Sequence, residues 1–324
     1  MTIFLGIVLS IFSAQATTDG LAWRTEFEKP VRYFVDSEVH LPQFMWFVAD
    51  RNRQVRVLAY QTTAVVSCDQ AIALGRRGVE FTCIIEDVAI RAASSRSERN
   101  RLGPILTEMT QKLKGGAIQL RLRTNGKLTH LSFSQSKTSG LTNRRTNQMA
   151  ENLRLILHRA FSGVDLEMPK KGLTEEGYWI QYDSAILMAP STAGTRGAAE
   201  IIHRIDRKSD QQVAVHSSGQ GTLTPGDGDL NFYAMNLEAH GTFNTATGLL
   251  EERSWMCAGQ PTASSAFAQG GSGLPYIQKG VLKRVSQNAV VNVGETGEVT
   301  PNEEQLGLIG SWGTLGAPAG AIQQ

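Results

Sequence analysis

The sequence predicts an α+β fold that is mainly antiparallel sheet: a curved sheet with one long and one short helix packed on it. Three observations carry this. Runs rich in Val, Ile, Thr and Phe recur along most of the chain and are separated by Gly- and Asn-containing links. Asn125-Gly126, the strongest short hairpin signal, sits between two runs that sort their apolar residues to one face. Asn143 to Ser162 is a long run with helical rather than strand periodicity.

The first sixteen residues read as an export signal. Ile3 to Phe12 is apolar apart from Gly6 and Ser10, and Ser13-Ala14-Gln15-Ala16 is a small-x-small cleavage site. No Lys or Arg precedes the apolar run, which departs from the usual basic start. Residues 1–16 are expected to be a signal peptide, with the protein exported to the periplasm or the extracellular space. No later segment is apolar over the ~20 residues a spanning helix needs, so no transmembrane segment is expected in the mature chain.

Strands come first. Arg24 to Leu41 alternates loosely, with Pro30 and Pro42 as breaks, and Gln54 to Cys68 and Val79 to Ala92 follow. Gly75-Arg76-Arg77-Gly78 is a turn between the last two. Of the three cysteines, Cys68 and Cys83 lie on these adjoining runs and Cys257 lies far away. In an oxidising compartment Cys68 and Cys83 are the favoured disulfide on proximity; Cys68–Cys257, Cys83–Cys257 and reduced buried thiols are the rivals. Closing so short a loop contributes on the order of 3 kcal/mol. Cys257, after Trp255-Met256, then reads as a buried, inert thiol.

A basic link, Ser94 to Arg101, leads to a short helix over Pro104 to Lys114, ended by Gly115-Gly116. The hairpin Ala117 to Phe133 follows. A two-residue loop at Asn125-Gly126 pairs Leu122 with Thr129, Leu120 with Leu131 and Ile118 with Phe133 on the core face. It leaves Gln119, Arg121, Arg123, Leu128, His130 and Ser132 on the other face. The long helix Asn143 to Ser162 carries Met149, Leu153, Ile156, Leu157, Ala160 and Phe161 at helical spacing, and Gly163 ends it.

Strands then resume at Gly177 to Leu187, Ala199 to Ile205 and Gln211 to Leu223. Leu230 to Phe243 pairs with Leu249 to Met256 through Asn244 to Gly248, and Tyr276 to Val285 is last. Residues 17–286 therefore form one β-rich domain, read as two packed halves meeting near 165–177. Residues 287–324 are Gly-, Pro- and Asn-rich and are expected to be a disordered tail.

Composition excludes some classes. A net charge of +2 over 324 residues gives no strongly basic face, so nucleic acid is not an expected partner. Arg51, Arg53 and Arg56, then Arg91, Arg96, Arg99 and Arg101, then Arg144 and Arg145 form basic clusters. They suit anionic headgroups, but near-neutral net charge favours solvated faces with acids nearby. The six histidines form no H-x-x-x-H or H-E-x-x-H pair. His203, His216 and His240 share the second half, yet nothing in their spacing supplies tetrahedral ligands, so no metal site and no cofactor are expected. Pro225-Gly226-Asp227-Gly228-Asp229 is an acidic turn lacking the rest of a calcium loop, and His203-Arg204-Ile205-Asp206 lacks every companion of a kinase catalytic loop. There is no G-x-S-x-G elbow and no P-loop. No catalytic residue is assigned, and the binding residues stay open.

The helix Gln148 to Phe161 followed by Met168-Pro169 and Gly177-Tyr178-Trp179, and the pair Ala239-His240-Gly241-Thr242-Phe243 and Gly248-Leu249-Leu250-Glu251-Glu252-Arg253, resemble a group of uncharacterised secreted bacterial β-rich proteins. At fold level, a sheet curved around helices is similar to periplasmic lipoprotein and lipid carriers. The resemblance implies no activity. The expected function is that of an exported, non-enzymatic binding protein for a lipid-like or amphipathic partner. The alternatives are a cell-envelope structural or interaction protein that meets an envelope protein, and a hydrolase without a readable motif.

Overall fold

Among the described residues, eleven antiparallel strands make a single sheet whose first and last strands lie side by side at its centre. The structure, a computed structural model, describes residues 30–40, 59–75, 78–93, 96–134, 144–169, 177–182, 196–209, 211–224, 233–261, 276–291 and 293. The strands are β1 (Val31–His40), β2 (Ala59–Ala73), β3 (Val79–Ala92), β4 (Ala117–Leu122), β5 (Leu128–Ser134), β6 (Tyr178–Tyr182), β7 (Arg196–Lys208), β8 (Gln212–Thr224), β9 (Tyr233–Asn244), β10 (Leu249–Pro261) and β11 (Tyr276–Val285). Their order in the sheet is β5-β4-β3-β2-β1-β11-β10-β9-β8-β7-β6. Helix α1 (Arg96–Leu113) joins β3 to β4, and α2 (Arg144–Phe161) lies in the connection from one sheet edge to the other.

Period-two alternation sorts each strand. On β1, Val31, Val35, Ser37 and Val39 are buried, while Asp36, Glu38 and His40 stand on the opposite face among polar partners from β2 and β11. Both helices lie on the inner face and share one core with it: Leu106, Met109 and Leu113 from α1, and Leu153 to Phe161 from α2. From Asn152 to Gly163, only Arg154 and His158 are less than fully buried. A helix end buried almost all round is enclosed, not laid on a surface.

The sheet is open, since its edge strands β5 and β6 do not pair, but individual contacts span the gap between them. Lys127 Nζ, in the β4–β5 turn, donates to the Tyr182 carbonyl on β6 at 2.7 Å. The stretch after α2 bridges the same gap: Asp165 Oδ1 accepts from the Leu128 N–H at 2.8 Å, and Met168 N–H donates to Asn125 O.

Three expectations are corrected. The helices are not one long and one short: both have 18 residues. The basic link before Pro104 is largely helix, because Arg96 to Leu102 are mostly adequate helix formers. Pro104 therefore lies inside α1 and costs its ~3 kcal/mol there, offset by the buried Leu106, Met109 and Leu113. In the β4–β5 hairpin, Ile118–Phe133 and Leu120–Leu131 pair in register, but Leu122 faces Leu128 after a register shift. Arg123 N–H reaches the Lys127 carbonyl and Gly126 takes φ 85°, so the loop is longer than two residues. That extra residue turns Leu128 inward and leaves Thr129 exposed.

After β11 the chain folds back over the outer face. Val293 packs on Phe34 and Val65, and Arg32 donates to the carbonyls of Ser286, Gln287 and Ala289. The start of the segment read as a disordered tail is thus docked, because three apolar side chains form a second small core there. Residues 1–16, Arg51 to Arg56, Pro225 to Asp229 and 294–324 lie outside the described residues.

Candidate functional site

Beneath the end of α2 the inner face leaves a slot. Val66, Phe81, Leu120 and Leu282 from the sheet form its walls, with Phe161 and Val164 above them. Its enclosed volume is about 40 Å³. It is small, and its walls are almost wholly apolar. A site of this kind holds hydrocarbon better than water, which needs two or more polar partners to stay.

One wall is the disulfide. Cys68 and Cys83 are direct cross-strand partners on β2 and β3, bonded to each other, and both line the slot. Cys257 is free and fully buried on β10, and burial pushes its thiol well above the usual range. A polar corner adjoins the apolar walls. Tyr33 lines the slot and stands opposite Arg284 on β11, whose Nη1 donates to Glu251 Oε1 at 2.7 Å. Burial raises the Tyr33 phenol far above its ordinary value.

Glycine decides how close α2 comes to the sheet. A Cβ at Gly163 would lie 2.2 Å from the Trp255 ring, and one at Gly280 would lie 2.3 Å from it. Trp255 is clamped between two residues that lack side chains, and this lets the helix end sink onto β10 and β11. Arg253, fully buried on β10, donates through Nη1 to the carbonyls of Gly163 (3.1 Å) and Asp165 (2.7 Å). A cation on the last carbonyls satisfies groups the helix cannot pair for itself. Burial lowers the Arg253 pKa to about 10, with Asp165 opposing, so it stays charged at neutral pH. Gln278 Nε2 donates to Arg159 O and to Ser162 Oγ, and buried Arg159 reaches the Tyr60 hydroxyl at 3.2 Å.

A chain of buried polar groups ties the segment after α2 to the far edge. Asp165 Oδ2 accepts from Gln181 Nε2 at 3.0 Å. Gln181 Oε1 accepts from the Glu167 N–H and faces His203 Nε2 at 3.0 Å. An amide oxygen only accepts, so His203 carries its proton on Nε2, and Nδ1 accepts from Ser217 Oγ at 2.8 Å. Trp179 stacks on the His203 ring and donates Nε1–H to the Glu167 carbonyl at 2.6 Å. Ser217 beside an imidazole has the outline of a nucleophile and base. Both are sealed from solvent, at 1% and 0% exposure, and burial pulls His203 down to about 3. An imidazole that weakly basic, without access, positions the segment after α2 and does not activate a hydroxyl.

Of the second-half histidines, the structure separates His203 from the other two. His203 points inward, whereas His216 and His240 meet on the outer face with Glu238. Their three donor atoms lie within 4.8 Å of one another. The expectation of no metal ligands came from spacing along the chain, whereas this group forms by cross-strand pairing of β8 with β9. The residues that hold α2, namely Arg253, Trp255 and Gln278, went unread in the sequence. The available signal was Gly280, an isolated glycine in a strand, which marks close approach of another element.

No protein-family model matches the chain, and no curated protein matches it. Among solved structures, one of lipovitellin, described for its lipid–protein interactions, aligns with a TM-score of 0.45 and 8% identity. It covers 83% of this chain and 26% of the other, so the chain spans about a quarter of that protein's length. An outer membrane channel from Pseudomonas putida F1 aligns with a TM-score of 0.15 and 6% identity, covering 81% of this chain and 97% of that one. Identities this low give the chain no family.

Proposed function

We propose that this chain is an exported, non-enzymatic binding protein that takes the hydrocarbon chain of a lipid-like or amphipathic molecule into the slot beneath α2. One observation carries the reading: an almost wholly apolar cavity of about 40 Å³, walled by β-strands and capped by the buried end of α2. Ligand sites usually take roughly 300–1,000 Å³, so the end of α2 is displaced outward as the chain enters. Each CH₂ buried there is worth about 0.8 kcal/mol. Tyr33, Arg284 and Glu251 supply polar contacts where a headgroup would sit. Export is supported by the leader-like first sixteen residues and by a disulfide, which persists in oxidising compartments. Among the described residues no helix is long and apolar enough to cross a membrane.

The test is native mass spectrometry of exported protein, followed by titration with cis-parinaric acid, a fluorescent fatty acid. An extractable extra mass and saturable binding are expected. Val66→Phe, which fills the slot, is expected to weaken binding more than about tenfold while leaving the circular dichroism unchanged. Absence of saturable binding, or equal binding by folded Val66→Phe, would overturn the proposal.

A further inference from the structure

The outer face of β8 and β9 carries a cluster that the apolar slot does not use. His216 and His240 are direct cross-strand partners, and Glu238 stands two residues from His240 on the same face. The two imidazole rings stack nearly parallel, with centroids 4.5 Å apart and planes 9° from one another. His216 Nε2 lies 2.6 Å from Glu238 Oε2. His216 and Glu238 are part-exposed and His240 is exposed, so solvent and ions reach them. Asp206, exposed on β7, is close enough for its charge to act on His240, and Arg204 is in register with His216.

From this geometry we infer that His216, Glu238 and His240 form a surface binding site for a divalent transition-metal ion of the zinc class. Two imidazole nitrogens and one carboxylate oxygen are a donor set that such ions accept with positions left open. Donors around a tetrahedral zinc ion stand about 3.4 Å apart, from bonds of about 2.0–2.1 Å. The three atoms here already lie within 4.8 Å, so the sphere closes by small side-chain movements and needs no change in the sheet. A metal must lie in the plane of each imidazole that binds it, and parallel rings cannot share one. One ring therefore turns about its outer torsion, which is soft for histidine. The ion replaces the present His216–Glu238 contact, and water completes the sphere. Without an ion the same residues are a cross-strand contact of ordinary strength.

The experiment is calorimetric titration of ZnCl₂ into the untagged, chelator-treated full chain, with thermal unfolding measured alongside. One zinc per chain and a zinc-dependent rise in Tm are expected. His216→Ala and His240→Ala are each expected to weaken binding by more than about tenfold, in line with the loss seen when lesser supports of metal sites are removed. His40→Ala removes a histidine paired with a single carboxylate elsewhere on the outer face, and should leave binding unchanged. His240→Gln, which keeps size and polarity, covers the case in which an alanine variant does not fold. Two results overturn the site: no zinc uptake by the wild-type chain, or uptake that survives the His216→Ala/His240→Gln double substitution.

Discussion

His203 shows how burial turns a titratable residue into a structural one. Its Nε2–H is given to Gln181 and its Nδ1 is filled by Ser217, with no place for a second proton. Desolvation holds its pKa at about 3, against 6.5 for an ordinary imidazole. Between these values the unfolded chain binds a proton that the folded chain refuses. The stabilisation is complete above pH 6.5 and is lost as pH falls towards 3, by up to about 1.4 kcal/mol per pH unit. Urea midpoints measured at pH 7 and at about pH 5 are expected to fall with pH, and to fall less in His203→Gln. Equal losses in both proteins would remove His203 from the account. The sequence could not place this residue. His203, His216 and His240 all sit on alternating strands, and only the direction of each side chain sends one inward and two outward.

At the scale of elements, strands and turns were legible wherever a local rule governs them. Tyr276 to Val285 and the Gly248 turn, with φ 64°, stand where the pattern places them. Two things were not legible: the start of α1, because a proline masked it, and the β4–β5 loop, because a bulge depends on both strands. The disulfide joins directly opposed residues of β2 and β3 with a separation of 15. Its reduction is expected to cost about 3 kcal/mol, read as a lower guanidinium midpoint at unchanged slope. Because Cys68 and Cys83 also wall the slot, reduction should loosen ligand binding as well. Cys257 should stay unreactive to thiol reagents until the protein unfolds, since it is buried and its thiolate is disfavoured.

Across the whole molecule, the decisive contact joins opposite ends of the chain. β11 lies between β1 and β10 and is the seam between the two arms of the sheet. It also carries Gln278, which holds the end of α2, and Gly280, which admits Trp255. Ending the chain before Tyr276 is therefore expected to abolish cooperative unfolding altogether, not merely to lower Tm. A sharp urea transition in that truncated protein would show that the arms fold without the seam. Pairing so distant in sequence brings its entropy cost early in folding. The bridging of the open sheet's two edges belongs to this scale too, through Lys127, the Tyr182 carbonyl and the segment Asp165 to Met168.

The sequence by itself determined the β-rich class, most strands, the helix α2, the favoured cysteine pair and a leader-like start. Each of these is set by neighbours a few residues away: alternation, helical period, turn chemistry and loop length. The tertiary structure decided the rest. It set the β1–β11 seam, the enclosure of α2, the slot beneath it, and the meeting of His216, Glu238 and His240. The physical reason is that strand pairing and side-chain direction join residues far apart in the chain, and no local pattern records which strands will meet.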